Sequence, residues 1–126
     1  MVLGSGVRPI MRYTMADGES SFASGNAAVA YGYYSQAMGV GTTTRHKAQH
    51  VFGEFNETET SDATFDERGT YVEIVGNGTG DDARANARTL DWSGNEELAG
   101  SLTLGKGTED EVTITAAQLK ALLAML

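Results

Sequence analysis

The sequence predicts an all-β protein of short stacked strands, followed by β-hairpins and one short C-terminal helix. Three observations lead to this prediction. Glycine recurs every seven residues, at Gly18, Gly25, Gly32 and Gly39 and again at Gly53. Small and large residues alternate with a period of two around these glycines, as they do on the two faces of a strand. The 126 residues are only 40% apolar, so a single chain would struggle to offset its conformational entropy, and we expect an oligomer.

The composition argues against several classes of function. The formal net charge of −8 disfavours binding to nucleic acid or to an anionic membrane surface, because both require basic residues. The absence of cysteine excludes disulfides and cysteine-ligated zinc. No apolar run approaches the roughly 20 residues of a membrane span, and the N-terminus lacks the apolar segment of a signal peptide. We therefore expect neither membrane insertion nor export by the general secretory pathway.

Residues 1–14 are predicted to form an extended lead-in with a first strand at 12–15, and residues 15–56 carry the repeat. A period of seven first indicates a coiled coil. Coiled coils, however, place Leu, Ile or Val at the recurring positions, whereas Ala and Gly recur here, and each glycine would cost a helix about 1 kcal/mol. The alternation instead predicts one short strand and one tight turn per seven residues, stacked as a solenoid.

The two faces of these units have different predicted roles. Small residues on one face let another backbone layer approach closely, and larger residues on the other face form an apolar seam. No acidic residue occurs between Ser20 and Gly53, and such uncharged strands would aggregate unless copies of the chain covered them. The repeat lapses at Thr44 and His46, where we expect the stack to end or loosen. The residues predicted to pack between chains are Phe22, Val29, Tyr31, Met38 and Phe52.

Two segments follow the repeat. Residues 57–69 are rich in acidic side chains and predict a solvated connector, with a short strand near 63–65. Residues 70–114 predict a module of β-hairpins, because 70–76 are β-branched and aromatic and Asn77-Gly78 favours a turn with positive φ. Within this module, residues 83–90 fit either a helical turn or a strand, residues 98–105 alternate as a strand, and 112–114 form a last short strand.

Residues 115–126 give the clearest helix signal. Thr115 and Gln118 have the spacing of a capping box, in which each side chain satisfies a backbone N–H of the other residue. A free helix of this length is marginal in water, so its apolar stripe must pack on the same chain, on copies of it or on a further segment. The stripe comprises Leu119, Leu122, Leu123 and Leu126, of which the first three are predicted to pack between chains.

No catalytic motif is found, and we expect no enzyme activity and no cofactor. The glycines at 76–80 follow a predicted strand, but their spacing departs from a dinucleotide-binding loop, and two acidic residues follow where a phosphate would lie. Asp81, Asp82 and Asp91 lack the spacing of a calcium loop. His46 and His50 are too few to hold a metal within one chain, which leaves only a shared ion on a threefold axis as an alternative.

Aromatic residues are the candidates for a binding surface. Tyr33 and Tyr34 lie at a predicted turn and are the candidate adhesion surface, because amphipathic aromatic rings dominate interaction surfaces. Tyr31 and Trp92 are predicted to pack in the seam instead.

Residues 21–39, with serial Ala-x-Gly units, resemble the head repeat of YadA-type trimeric autotransporter adhesins, which also occurs in phage fibres. The resemblance implies a left-handed parallel β-roll with two seven-residue strands per coil and three rolls around a threefold axis. Residues 71–79 and 86–100 are similar to a module of phage and prophage tail-fibre or baseplate proteins, in which a short Ile-Thr-x-x-Gln-Leu helix follows, matched here by Ile114 to Leu119.

These resemblances imply a structural virion protein, a homotrimeric segment of a phage tail fibre, baseplate or head fibre. Its expected partners are other tail or baseplate proteins, with a host-surface glycan or wall polymer as the expected ligand. A bacterial trimeric surface adhesin is the alternative. The chain shows no long coiled-coil stalk, membrane anchor or leader of an autotransporter, which favours the virion over the bacterial cell surface as the predicted location.

Overall fold

The computed structural model of the chain describes residues 2–3 and 13–126, and the rest of the predicted lead-in lies outside these described residues. The described part is mostly β-strand with one short C-terminal helix, which confirms the predicted all-β class. In chain order the elements are β1 (Val2–Leu3), β2 (Met15–Ala16), β3 (Phe22–Asn26), β4 (Val29–Ala30), β5 (Gln36–Val40), β6 (Thr43–Thr44), β7 (His50–Glu54), β8 (Tyr71–Asn77), β9 (Asn86–Asp91), β10 (Glu96–Leu98), β11 (Leu102–Leu104), β12 (Val112–Ile114) and α1 (Ala116–Leu123).

The repeat folds into two parallel sheets that grow together along the chain. Strands β1, β3, β5, β7 and β8 pair in parallel, and β9 and β10 extend the same sheet antiparallel to seven strands. Strands β2, β4 and β6 form a separate three-stranded parallel sheet. Within the repeat, from β2 to β7, partners in both sheets lie fourteen residues apart, as Ala23 and Ala37 do in one and Ala16 and Ala30 in the other. Each fourteen-residue step therefore adds one strand to each sheet.

The space between the two sheets holds a very thin core. Ala23 and Ala37 from the seven-stranded sheet pack against Ala28 and Ala30 at the three-stranded sheet, and all four are fully buried. Because neighbouring residues in a strand point to opposite faces, the larger residues beside these alanines point outward. The alternation in the sequence thus separates a core-facing set of small residues from an outer set of large ones.

The glycine repeat is a steric requirement of this stack. A Cβ atom on Gly32 would clash with the carbonyl group of His46, and one on Gly39 would clash with the carbonyl group of Gly53. Both contacts are backbone atoms of the next coil, which cannot move aside as a flexible side chain would. The lapse of the repeat at His46 has a physical reason, because β6 is the last strand of its sheet and no further strand stacks over it.

The corners of the coils use left-handed backbone conformations at the same fourteen-residue interval. Ser20, Tyr34 and Ala48 have φ of 53°, 58° and 60° at one corner. At the other corner, Ala27, Gly41 and Phe55 have φ of 60°, 62° and 37°. Left-handed backbone is unfavourable for residues with a Cβ, so the stack maintains these corners against a local cost.

Buried amides close the end of the three-stranded sheet. The Asn56 side chain is fully buried, accepts the Thr43 N–H at 2.8 Å and donates to the Thr43 carbonyl at 3.1 Å. It therefore takes the place of the strand that would come next. The Gln49 amide oxygen likewise accepts the backbone N–H groups of Arg45 at 2.9 Å and His46 at 3.2 Å.

The segment 57–69 contains only exposed and half-buried residues, as expected of a solvated connector, but it is also bound to the roll. Its backbone binds the roll, because the Phe65 carbonyl accepts the Tyr33 N–H at 2.9 Å and the Glu67 carbonyl accepts the Lys47 N–H at 2.9 Å. The Glu59 side chain is only 4% exposed and accepts hydrogen bonds from Gln49 and Thr70. The short strand predicted near 63–65 is not formed. The segment lies across the open end of the stack because unpaired backbone groups there require partners.

The predicted hairpin module is not separate from the repeat. Strand β8 pairs in parallel with β7, with His50 opposite Glu73 and Phe52 opposite Val75, so the sheet of the repeat continues into the module. The ambiguous residues 83–90 contribute to strand β9, which forms the predicted hairpin with β8. The single strand predicted over 98–105 is divided between β10 and β11, with a bend at 99–100.

The capping box predicted at the helix is confirmed. The Thr115 hydroxyl accepts the Gln118 N–H at 3.1 Å, and the Gln118 side chain accepts the Thr115 N–H at 3.0 Å. The apolar stripe of α1 is exposed among the described residues, because Leu119, Leu122 and Leu123 are 44%, 55% and 57% exposed and none of the residues of α1 is buried. The hairpin of β11 and β12 also carries exposed apolar residues.

Gly32→Ala is expected to destabilise the stack, because its Cβ would meet the backbone of His46. Overpacking of this kind lowers the free energy of unfolding by about 1–3 kcal/mol or more, measured by urea denaturation followed by circular dichroism. Gly80→Ala is the matched control, since a Cβ there enters open space and the change should stay within about 0.5 kcal/mol. Equal losses in the two variants would show that the glycine column is not a packing requirement.

Asn56→Ala is expected to expose the sheet end, because it removes both partners of the Thr43 backbone. Leaving such buried groups unsatisfied lowers the free energy of unfolding by about 1–3 kcal/mol. Hydrogen exchange at the Thr43 amide should therefore become faster. Asn95→Ala is the control, since that exposed amide only orders a turn with Asp91. Unchanged protection of the Thr43 amide in Asn56→Ala would contradict the capping role.

Candidate functional site

The predicted adhesion residues lie at the corner between β4 and β5. Tyr34 has left-handed backbone and is 50% exposed, whereas Tyr33 is half-buried. Their rings meet edge to face with centroids 6.2 Å apart. The Lys47 ammonium lies 5.9 Å from the centroid of the Tyr34 ring, and the Tyr34 hydroxyl lies 3.5 Å from a carboxylate oxygen of Glu19. This corner combines an exposed aromatic ring with both signs of charge.

The predicted seam residue Tyr31 packs within its own chain. Its ring stacks on Phe65 with centroids 5.5 Å apart and planes 14° from parallel. The Arg45 guanidinium lies 5.7 Å from the Tyr31 centroid and 5.4 Å from the Phe65 centroid. Phe65 itself is 40% exposed, so the cluster extends the aromatic surface beyond Tyr34. Sequence reasoning did not select Phe65; the signal was an isolated aromatic residue within an acidic segment.

The residues predicted to pack between chains lie on two opposite faces. Phe22, Met38 and Phe52 are half-buried and point away from the alanine core, on the outer face of the seven-stranded sheet. Val75, Leu90 and Leu98 continue the same face across β8, β9 and β10. We call these six residues the apolar strip. Val29 and Tyr31 lie instead on the outer face of the three-stranded sheet, beside the buried Ala30.

The two histidines do not converge on one site. His46 is buried, with Nδ1 3.2 Å from the Thr64 carbonyl oxygen and Nε2 4.0 Å from a Glu59 carboxylate oxygen. His50 lies on the outer face of the seven-stranded sheet and packs against the Phe52 ring, with centroids 5.1 Å apart. Within residues 13–126, no group of three or more His, Asp or Glu side chains has the geometry to hold a metal ion.

The predicted acidic candidates stabilise turns. Asp81 pairs with Arg84 at 2.9 Å. The backbone N–H and then the side chain of Asn95 lower the pKa of the Asp91 carboxyl, which also accepts the Ser93 N–H at 2.9 Å. Trp92, predicted to pack in the seam, is half-buried and lies 4.0 Å from the Arg68 guanidinium.

The glycine-rich loop at 76–80 connects β8 to β9. The Gly78 N–H donates to the Glu54 carbonyl at 3.0 Å, and the Asn77 N–H donates to the Ala85 carbonyl at 3.0 Å. These backbone groups are therefore committed within the protein and do not form a phosphate cradle.

In comparisons with protein-family models, curated proteins and solved structures, no match to this chain was found. Across the described residues, no helix has the length and apolar content needed to cross a membrane.

Proposed function

We propose that the chain is a structural segment of a homotrimeric phage fibre, belonging to a tail fibre, a baseplate or a head fibre. In this proposal the repeat forms a left-handed β-roll, and three rolls pack around a threefold axis. The fourteen-residue register supports it, because two seven-residue strands per coil are what the resemblance to adhesin head repeats implies.

The main support for a trimer comes from residues 93–126. From Ser93 to Leu126 every residue except Ile114 is exposed in the single chain. An isolated two-stranded hairpin and an eight-residue helix are both marginal in water. Several large apolar residues would therefore face solvent unless other chains cover them. These residues are Leu102, Leu104, Val112, Leu119, Leu122, Leu123, Met125 and Leu126.

The apolar strip is the second surface that copies of the chain would cover. It runs across strands β3 to β10 on one face and is interrupted by Arg88, which pairs with Glu73 and Glu96 on that face. In the proposed trimer three copies bury it around a common axis. Val29 and Tyr31 then face away from the axis. This arrangement leaves the corner of Tyr33 and Tyr34 and the neighbouring Phe65 on the outside of the trimer.

The proposed mechanism is assembly and multivalent attachment without turnover. Three identical surfaces on one rigid trimer raise the avidity for a repetitive host glycan or wall polymer, even when each contact is weak. Other tail or baseplate proteins would bind the ends of the trimer. The second candidate is a bacterial trimeric surface adhesin, favoured by the same Ala-x-Gly repeat, and the neighbouring genes distinguish the two owners.

Met38→Lys is expected to dissociate the trimer, because it would bury an unpaired charge in the apolar strip. Solution mass, measured by sedimentation equilibrium, should fall from three chains to one. Val29→Lys is the matched control, since it places the same charge on the opposite outer face and should remain trimeric. A wild-type protein that is a stable monomer would refute the trimer, and dissociation by Val29→Lys alone would place the other face at the axis.

The double substitution Tyr33→Ala with Tyr34→Ala is expected to reduce retention of the labelled trimer on bacterial cells by more than about tenfold, since three weakened contacts act together. Tyr13→Ala is the control, because Tyr13 is 68% exposed and lies outside the proposed surface. Retention of the double variant at the wild-type level would refute the role of these tyrosines, and loss in both variants would indicate nonspecific adhesion.

A further inference from the structure

A polar groove lies on the face of the seven-stranded sheet opposite to the apolar strip. Two adjoining cavities of about 360 Å³ and 250 Å³ form it, and both are lined by Glu57, Tyr71 and Asn86. Thr89 and Glu97 line the second cavity; Thr89 pairs with the buried Ile74, so they belong to the inward face of the sheet. This face is open here because β8, β9 and β10 extend past the three-stranded sheet.

The polar groups of the groove are held in place by bonds within the protein. The Asn86 amide oxygen accepts the Glu57 N–H at 2.7 Å, which joins the 57–69 segment to strand β9. The Thr89 hydroxyl donates to the Glu97 carboxylate at 2.9 Å. Burial and the neighbouring Glu97 carboxylate raise the pKa of the Tyr71 phenol. Binding would therefore require little reordering of these side chains.

The chemistry of the groove selects against anionic ligands. Glu57, Glu59 and Glu97 are among the residues that line it, and the one basic lining residue, Arg88, pairs with Glu73 and Glu96. The remaining lining residues include four that carry hydroxyls: Thr58, Thr60, Ser61 and Thr70. Carboxylate oxygens and hydroxyls together accept and donate the hydrogen bonds that sugar hydroxyls form, and an aromatic ring offers a face for a sugar ring.

A basic peptide fits the groove less well than a sugar. The Glu59 carboxylate already accepts hydrogen bonds from Gln49 and Thr70, and the Glu97 carboxylate accepts one from Thr89. Neutral hydrogen-bond donors therefore orient these carboxylates, which do not converge on one position where a lysine ammonium of a basic peptide could bind. Two adjoining cavities also suit consecutive units of a chain better than one compact group.

We propose that this groove binds a neutral or amine-bearing oligosaccharide on the host surface. The inference rests on the proposed attachment function and deepens it by naming the ligand class and its place. The groove lies on the face opposite to Phe52 and Val75, although Leu98 of the apolar strip also lines its second cavity at the sheet edge, and the groove must stay open in the proposed trimer. It lies apart from the tyrosine corner and provides a second contact surface.

The test uses the full-length trimer in titration calorimetry with four probes: the β-1,4-linked tetramers of N-acetylglucosamine and of glucosamine, maltotetraose, and a glycerol phosphate polymer. We expect at least one of the first three to bind and the phosphate polymer not to compete for the groove. Glu97→Gln should weaken that binding by about tenfold, because the charged acceptor is lost. Asp82→Asn is the matched control, because Asp82 is exposed and lies outside both the groove lining and the apolar strip, and it should bind as the wild type does.

Three results would overturn the inference: no binding of the neutral and amine-bearing probes, Glu97→Gln binding as tightly as the wild type, or oligolysine displacing the sugar at lower concentration. Solution mass and cell retention are measured on the same samples. If the trimer adheres to cells but binds no sugar probe, the groove proposal is refuted and the proposed function is not. If the protein is a monomer, the proposed function is refuted. Equal melting temperatures of Glu97→Gln and the wild type exclude misfolding as the cause of lost binding.

Discussion

The close contact between backbones of successive coils is the constraint on which the rest of the structure depends. Glycine at 32 and 39 leaves room for the carbonyl group of the next coil, and the alanines at 23, 30 and 37 allow the two sheets to approach each other. Any larger residue at these places would separate the layers. This tight packing repeats every fourteen residues and forces the corners into left-handed backbone, which even residues with a Cβ adopt.

A stack built in this way has little apolar area to bury within one chain. Its core is mostly alanine, with Val51, Phe55 and Ile74 as the larger buried residues, and the other large apolar residues lie on the outer faces or in the exposed C-terminal segment. The hydrophobic free energy missing inside the chain is therefore available between chains. The stack also needs polar groups at its end, because the last strand has no further strand to pair with. Asn56 and Gln49 supply them: their amides pair backbone groups that a next strand would otherwise pair.

The outer surfaces divide into three kinds with different chemistry. The apolar strip covers one face of the seven-stranded sheet, the aromatic corner with its basic side chains lies at the three-stranded sheet, and the polar groove lies where the larger sheet extends past the smaller. An apolar face suits assembly, whereas aromatic and polar faces suit reversible contacts with a hydrated polymer. The proposed trimer uses the first surface at its axis and presents the other two outward.

The sequence alone determined what depends on neighbouring residues: the strand-and-turn period and the capping box of Thr115 with Gln118 both follow from local sterics and local hydrogen bonds. The positive-φ turn predicted at Asn77-Gly78 is wrong, because Asn77 ends β8 opposite Glu54 and the chain turns at 81–82, between Gly80 and Ala83. It also located where the repeat lapses. Only the tertiary structure decided that β8 joins the sheet of the repeat, that Phe65 stacks on Tyr31, and that Asn56 closes the sheet end. These features join residues far apart along the chain, and nothing in a local pattern encodes which distant backbone group or ring will be left without a partner. The positions of the apolar strip and the groove on opposite faces have the same origin, because the face of each strand is set by its register against distant strands.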